Sequence, residues 1–168
     1  MYSVSVPVPG SVERLAEELR PALLGFEAIR DHHTLVCKRL GDAPAGGVPR
    51  LREQLRTALA GAPAFEIQIS GIDYFEYPTR GEGPVVYFDV ESPGLWRLHD
   101  QLVEAFSAIE DLEGEDYSPH VTLARGGSVA DAERLAARDV EPVSWTVSKL
   151  LLWDATYAET VTEFSLPA

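Results

Sequence analysis

Residues 2–8 alternate apolar and polar positions and are rich in valine, the period of a half-buried strand. Pro9-Gly10-Ser11 follows as a turn that offers an N-cap, and Val12, Leu15, Ala16 and Leu19 then recur at helical spacing until Pro21 ends or kinks the helix. Residues 31–40 return to strand patterning. Residues 41–48 form a Gly/Pro-rich loop, and Pro49 can open a helix whose apolar stripe is Leu51, Leu55 and Ala58 or Leu59. Gly61-Ala62-Pro63 stops it. Phe65, Ile67 and Ile69 alternate as a further strand that extends toward Tyr77.

The second half repeats this order. Residues 85–90 read as a strand, and Ser92-Pro93 as an N-cap followed by proline at the first helical position. Leu95, Leu98, Leu102, Phe106 and Ile109 make the helix stripe. After an acidic loop at 112–116, residues 118–125 predict a strand and Gly126-Gly127 a turn. Ser128 caps a short helix through Leu135 and Ala136. Residues 143–153 and 157–166 predict two last strands. Each half thus runs strand, helix, strand, helix, strand, with 78–84 as the linker. One domain spanning 1–168 follows, its lobes formed by about residues 1–77 and 84–168.

Composition narrows the class. A hydrophobic content of 45% suffices for a real core, and no apolar run approaches the length of a membrane span. The N-terminal residues lack a basic segment and a long apolar segment, so they do not read as a signal peptide, and a cytoplasmic protein is expected. The single cysteine, Cys37, excludes an internal disulfide and reads as buried packing. Twenty-seven acidic residues against 14 basic ones leave a formal charge of −13, and only Lys38 and Lys149 are lysines. The acids are spread along the chain, which suits an acidic surface adapted to high salt, a halophilic trait, better than a face for one basic partner. Such a field repels long polyanions.

The candidate chemistry lies in a pattern that occurs twice, His32-His33-Thr34-Leu35 and His120-Val121-Thr122-Leu123, 120 − 32 = 88 residues apart. On a strand, positions i and i+2 share a face, so each copy pairs an imidazole with a hydroxyl. Either copy alone is more often a satisfied structural pair. Two copies in equivalent halves place His32, Thr34, His120 and Thr122 around one shared cleft, where two imidazoles can act as general acid and general base. A register shifted by one residue makes His33 the functional imidazole of the first copy; the spacing to Thr34 favours His32.

Two His-x-Thr-hydrophobic motifs, in halves of this order, resemble the 2H phosphoesterase superfamily. The similarity is greatest to the proteins called 2′-5′ RNA ligases or RNA 2′,3′-cyclic phosphodiesterases. Leu40-Gly41 after the first motif, Tyr117-Ser118-Pro119 before the second and Ala124-Arg125 after it support the resemblance, which covers essentially the whole chain. It implies an α+β fold of two pseudo-symmetric lobes, each an antiparallel-rich sheet with helices packed outside, around a central cleft. It also implies a phosphodiester substrate, a 2′,3′-cyclic phosphate at an RNA end or on a nucleotide. One imidazole accepts a proton from water and the other donates to the departing ribose oxygen. Thr34 and Thr122 hold the non-bridging oxygens.

No metal or other cofactor is expected, nor a membrane partner, and the chain reads as a monomer. Which histidine is the acid stays open, as does hydrolysis against the reverse reaction, 2′-5′ RNA ligation. A nucleotide-binding module without turnover is the alternative of another class. Arg125 either touches a phosphate or caps the strand in solvent. Tyr117, Tyr74 and Tyr77 either stack a base or pack between lobes. Lys38 and Arg39 read as a solvated strand end, His99 as surface or interface, the three tryptophans as core, and Asp31 and Asp116 as groups that a bound phosphate would keep off the cleft floor.

Overall fold

The computed structural model describes residues 1–167. It is an α+β fold built on one curled, antiparallel sheet with four α-helices. The strands are β1 (Tyr2–Val6), β2 (Ala28–Ile29), β3 (Leu35–Gly41), β4 (Phe65–Phe75), β5 (Val85–Glu91), β6 (His120–Arg125), β7 (Val143–Val147), β8 (Lys149–Asp154) and β9 (Glu159–Ser165). The helices are α1 (Gly10–Leu19), α2 (Gly47–Ala58), α3 (Pro93–Phe106) and α4 (Val129–Ala136). Strand order is β7-β4-β5-β6-β3-β1-β8-β9, and β2 pairs β6.

Local chemistry sets the helix starts. Ser92 Oγ accepts from Leu95 N and Ser128 Oγ from Asp131 N, so both expected caps form. The expected cap at α1 does not. Pro9 occupies the N-cap with no side-chain bond, and its carbonyl accepts from Val12 N and Glu13 N, which draws Ser11 into the first turn. Val12, Ala16 and Leu19 of α1, Leu51 and Leu55 of α2, and Leu95, Leu98 and Leu102 of α3 are buried. They pack on the apolar sheet face, where Val4, Leu35, Cys37, Val86, Phe88, Val121 and Leu123 lie. The other face is left for a cleft.

A late strand of each half crosses over. β4, from the first half, lies between β5 and β7, whereas β8, from the second, lies between β1 and β9. Spatial lobes therefore differ from the sequence halves. The expected single strand over 143–153 is also two. β7 pairs β4 and β8 pairs β1, and only Ser148, whose carbonyl accepts from Leu166 N, separates them. One intervening residue cannot bridge a wide sheet, since consecutive Cα atoms lie about 3.8 Å apart. The sheet must curl until its two wings nearly meet, with Ser148 as the corner.

Candidate active site

β3 and β6 touch through one residue pair, Leu35 with Val121. Both side chains are fully buried in the core. Their sequence neighbours must project to the opposite face. Thr34 and Val36 from one strand and His120 and Thr122 from the other accordingly line one cavity of about 310 Å³. Arg125 and Tyr117 line it too.

His120 is held in a defined state. Its Nδ1 donates to the Ser118 carbonyl at 2.6 Å, which leaves Nε2 as the nitrogen free to react. Its ring meets Phe75 edge-on at 5.3 Å and Tyr87 at 5.2 Å. Burial pushes its pKa below the ordinary imidazole value; the Ser118 carbonyl opposes this, and the charges of Arg39, Arg125 and Arg30 reinforce it. His120 is thus biased toward the neutral imidazole, the form of a proton acceptor.

The first motif is built differently. Between the pairs Ile29–Ala124 and Leu35–Val121, six steps on one strand face three on β6, so three residues are extra. Arg30 N still bonds the Leu123 carbonyl, and residues 31–33 bulge out after it. The strand expected to begin at Asp31 therefore begins at Leu35. Asp31 pairs with Arg20 at the surface at 2.8 Å. His33 turns inward, 9% exposed, with Nδ1 2.6 Å from Glu13 Oε2 of α1. His32 is exposed and stacks on Trp153 of β8 at 5.0 Å, with 16° between the rings. Thr34 lines the cavity and His32 does not. Of the four motif residues, the fold gathers Thr34, His120 and Thr122. The bulge takes up chain that a regular strand would have used to carry His32 beside them.

Two loops form the rim. The 78–84 linker is tied down by Arg125 Nη1, which donates to the Arg80 carbonyl at 3.1 Å, and by Thr79 Oγ1, which donates to the Asp111 carbonyl at 3.2 Å. Gly81, at φ +76°, lets the Arg125 guanidinium pass: a Cβ there would collide with Nη1.

The second loop, 107–119, is pinned to β3 by groups expected to be peripheral. Lys38 is not a solvated strand end. It is 1% exposed and bonds Glu113 Oε1 at 2.6 Å, because the register of β3 sends it under this loop. Nor is His99 at the surface. It is fully buried, its Nδ1 donates to the Cys37 carbonyl at 2.7 Å and its Nε2 accepts from Gly114 N at 3.0 Å. Tyr117 stacks on His99 at 3.8 Å and donates its hydroxyl to the Val36 carbonyl. One of its faces is therefore occupied, and burial drives its pKa well above the ordinary phenol value.

Asp116 does line the cavity, as does Asp111, because the pinned loop carries both to the rim. Arg30 and Arg80 also line it, and neither stood out in the sequence; arginines that recur beside turns in an acidic chain were the available signal. Cys37 is buried, as expected. Trp96 and Trp145 pack partly buried against the core, whereas Trp153 serves as the platform for His32. Among the described residues no helix is long and apolar enough to cross a membrane, and no three His, Cys, Asp or Glu side chains cluster as for a metal.

A family profile described as the 2′-5′ RNA ligase superfamily matches residues 6–157. No curated protein matches the chain. Among solved structures, TT0787 of Thermus thermophilus is similar over 98% of this chain and 97% of its own, at 23% identity and a TM-score of 0.69. E. coli LigT complexed with 3′-AMP is similar over 99% of this chain and 98% of its own, at 14% identity and a TM-score of 0.69. LigT complexed with NADP+ matches over 99% and 97%, at 17% identity and 0.66. These likenesses concern the fold.

Proposed function

The chain belongs to the 2′-5′ RNA ligase superfamily, and we propose that it is a metal-independent phosphodiesterase that opens 2′,3′-cyclic phosphates on RNA ends or nucleotides. The observation that carries this is the convergence of Thr34, His120 and Thr122 on one cavity at the Leu35–Val121 contact. LigT in complex with 3′-AMP gives a fold relative holding a ribonucleotide phosphate. His120 Nε2 takes a proton from water, whose oxygen bonds to phosphorus, and the bond to one ribose oxygen breaks. Thr34 and Thr122 hydrogen-bond the non-bridging oxygens, and Arg125 offsets their charge. His32 donates the proton to the departing oxygen, and reaches it by leaving the Trp153 stack when substrate fills the cleft. The same groups run in reverse, with an alcohol replacing water, would ligate.

The exposed His32, stacked outside the cavity, favours a second reading: a nucleotide-binding module in which His120 anchors phosphate without turnover. Hydrolysis of 2′,3′-cyclic nucleotides and of short cyclic-phosphate RNAs decides between them. His120→Ala and His32→Ala should each cost roughly a hundredfold or more in rate, the scale of a lost acid or base. Chelator should leave the rate unchanged. Binding without turnover by the wild type establishes the module. Turnover insensitive to His32→Ala removes that residue from the mechanism.

A further inference from the structure

Four arginines line the cavity: Arg30, Arg39, Arg80 and Arg125. None of these four forms an ion pair among the described residues, and neither do Arg14, Arg52, Arg56, Arg97 and Arg138; what sets the four apart is that they share one cavity. The guanidinium of Arg125 spends one nitrogen on the Arg80 carbonyl, and its Nε is buried with no partner among the described residues. A buried donor left unpaired is costly, and here it belongs to a side chain that lines a cavity. Two carboxylates, Asp111 and Asp116, share the rim, so four positive charges meet two negative ones. A cyclic phosphate carries a single negative charge and would leave the balance positive.

The arginines also couple pairwise within the cavity, and Arg39 as well as Arg125 and Arg30 acts on His120. Arg30 and Arg125 are close enough for the charge of Arg125 to lower the Arg30 pKa, after burial. Arg39 is likewise held down by burial, and the neighbouring Arg80 adds to that while Glu113 opposes it. The first pair sits where β2 runs beside β6. The second spans β3 and the 78–84 linker. Like charges gathered in one cavity call for anions to separate them.

We propose that the cavity holds two phosphate groups: the reacting cyclic phosphate among Thr34, His120, Thr122 and Arg125, and a second, unreacting phosphate between Arg39 and Arg80. This rests on the phosphodiesterase reading and sharpens it. The preferred substrate is a ribonucleotide end that carries a further phosphate on its 5′ side. That group is either a terminal 5′-phosphate or the internucleotide phosphodiester of an RNA. The guanidinium fork binds either in the same way.

Calorimetric binding of unreactive ligands at fixed ionic strength tests this. Adenosine 3′,5′-bisphosphate should bind the wild type about tenfold or more tightly than adenosine 3′-monophosphate, the scale of charge-assisted hydrogen bonds to a second phosphate. Arg80→Ala and Arg39→Ala should each bring that ratio close to one. Arg50→Ala, which removes an equal charge outside the cavity, should leave it intact. A 3′-phosphorylated dinucleotide that matches the bisphosphate identifies the internucleotide group as the natural occupant; a dinucleotide bound no better than the monophosphate identifies the terminal one. A wild-type ratio near one overturns the proposal, as does a ratio that survives both cavity substitutions. Because no turnover is read, an intact ratio without any hydrolysis refutes the phosphodiesterase reading alone. Hydrolysis with a ratio of one refutes the second phosphate alone.

Discussion

Glu113→Ala isolates the buried ion pair behind the cavity. Both side chains of the Lys38–Glu113 pair are 1% exposed. The Glu113 carboxylate accepts from Lys38 Nζ at 2.6 Å, Arg39 N at 2.8 Å and Ile109 N at 3.0 Å. Truncation leaves an uncompensated ammonium and two orphaned backbone donors. Breaking a buried pair costs about 3–5 kcal/mol, and each unsatisfied backbone group about 1–3 kcal/mol when no water reaches it. The charge dominates, so the loss belongs at or above the top of the first range. At about 2–4 °C per kcal/mol for a chain of this size, Tm should fall by roughly 10–20 °C. Urea melts give the free energy and thermal circular dichroism the Tm. The apolar double variant Lys38→Met/Glu113→Leu removes the charges together and should recover much of the loss. It should stay below wild type, because Arg39 N and Ile109 N still lack an acceptor. A Glu113→Ala loss under about 1 kcal/mol, or a double variant weaker than the single one, would refute the reasoning.

Three further outcomes follow from the same geometry. The folded-state pKa of His120 is depressed, so the unfolded chain takes up the proton first; this group's contribution is complete above its ordinary value of about 6.5 and declines below it. The acidic limb of kcat/KM should lie below pH 6.5 and move upward in Arg39→Ala; a limb at or above 6.5 in the wild type would contradict a neutral His120. Gly81→Val should displace the Arg125 guanidinium and lower kcat/KM by roughly ten- to a hundredfold. Gly61→Ala shares the positive φ but meets nothing within 4 Å, and should keep full activity; equal losses in the two would trace the effect to backbone strain instead. Finally, with a net charge of −13, Tm should rise as potassium chloride increases from dilute buffer toward molar concentration, and a flat response would leave the acidic surface without a salt-dependent role.

Much of this was legible in the residues. Val12, Leu15 and Leu19, or Leu95, Leu98 and Leu102, declare helices because burial selects one face every 3.6 residues. The second motif was legible for a related reason: Val121 and Leu123 demand the core, which forces His120 and Thr122 to the opposite face. The first motif lacks that constraint. His33 stands where an apolar residue would anchor the register, and without an anchor the chain can loop out between Arg30 and Thr34. The crossing of β4 and β8 was hidden because pairing partners distant in sequence leave no local trace. Lys38 and His99 look peripheral in sequence for the same reason: what buries a polar side chain is its partner, and Glu113 and Gly114 come from a loop distant in sequence from β3.

The crossing also explains how a single residue pair can define a site. Leu35 and Val121 alone join β3 to β6, a seam too slight to hold two wings at a fixed spacing. Thr34 stands on one side of it, and His120 and Thr122 on the other, so the site depends on that spacing. β4 leaves the first half and lies between β5 and β7, while β8 leaves the second half and lies between β1 and β9. Separating the wings would require stripping one of these strands from both its neighbours. β4 alone pairs five residues with β7 and seven with β5. The covalent chain and its two exchanged strands therefore set the width of the cleft. The seam is left free to carry the reactive side chains on its open face.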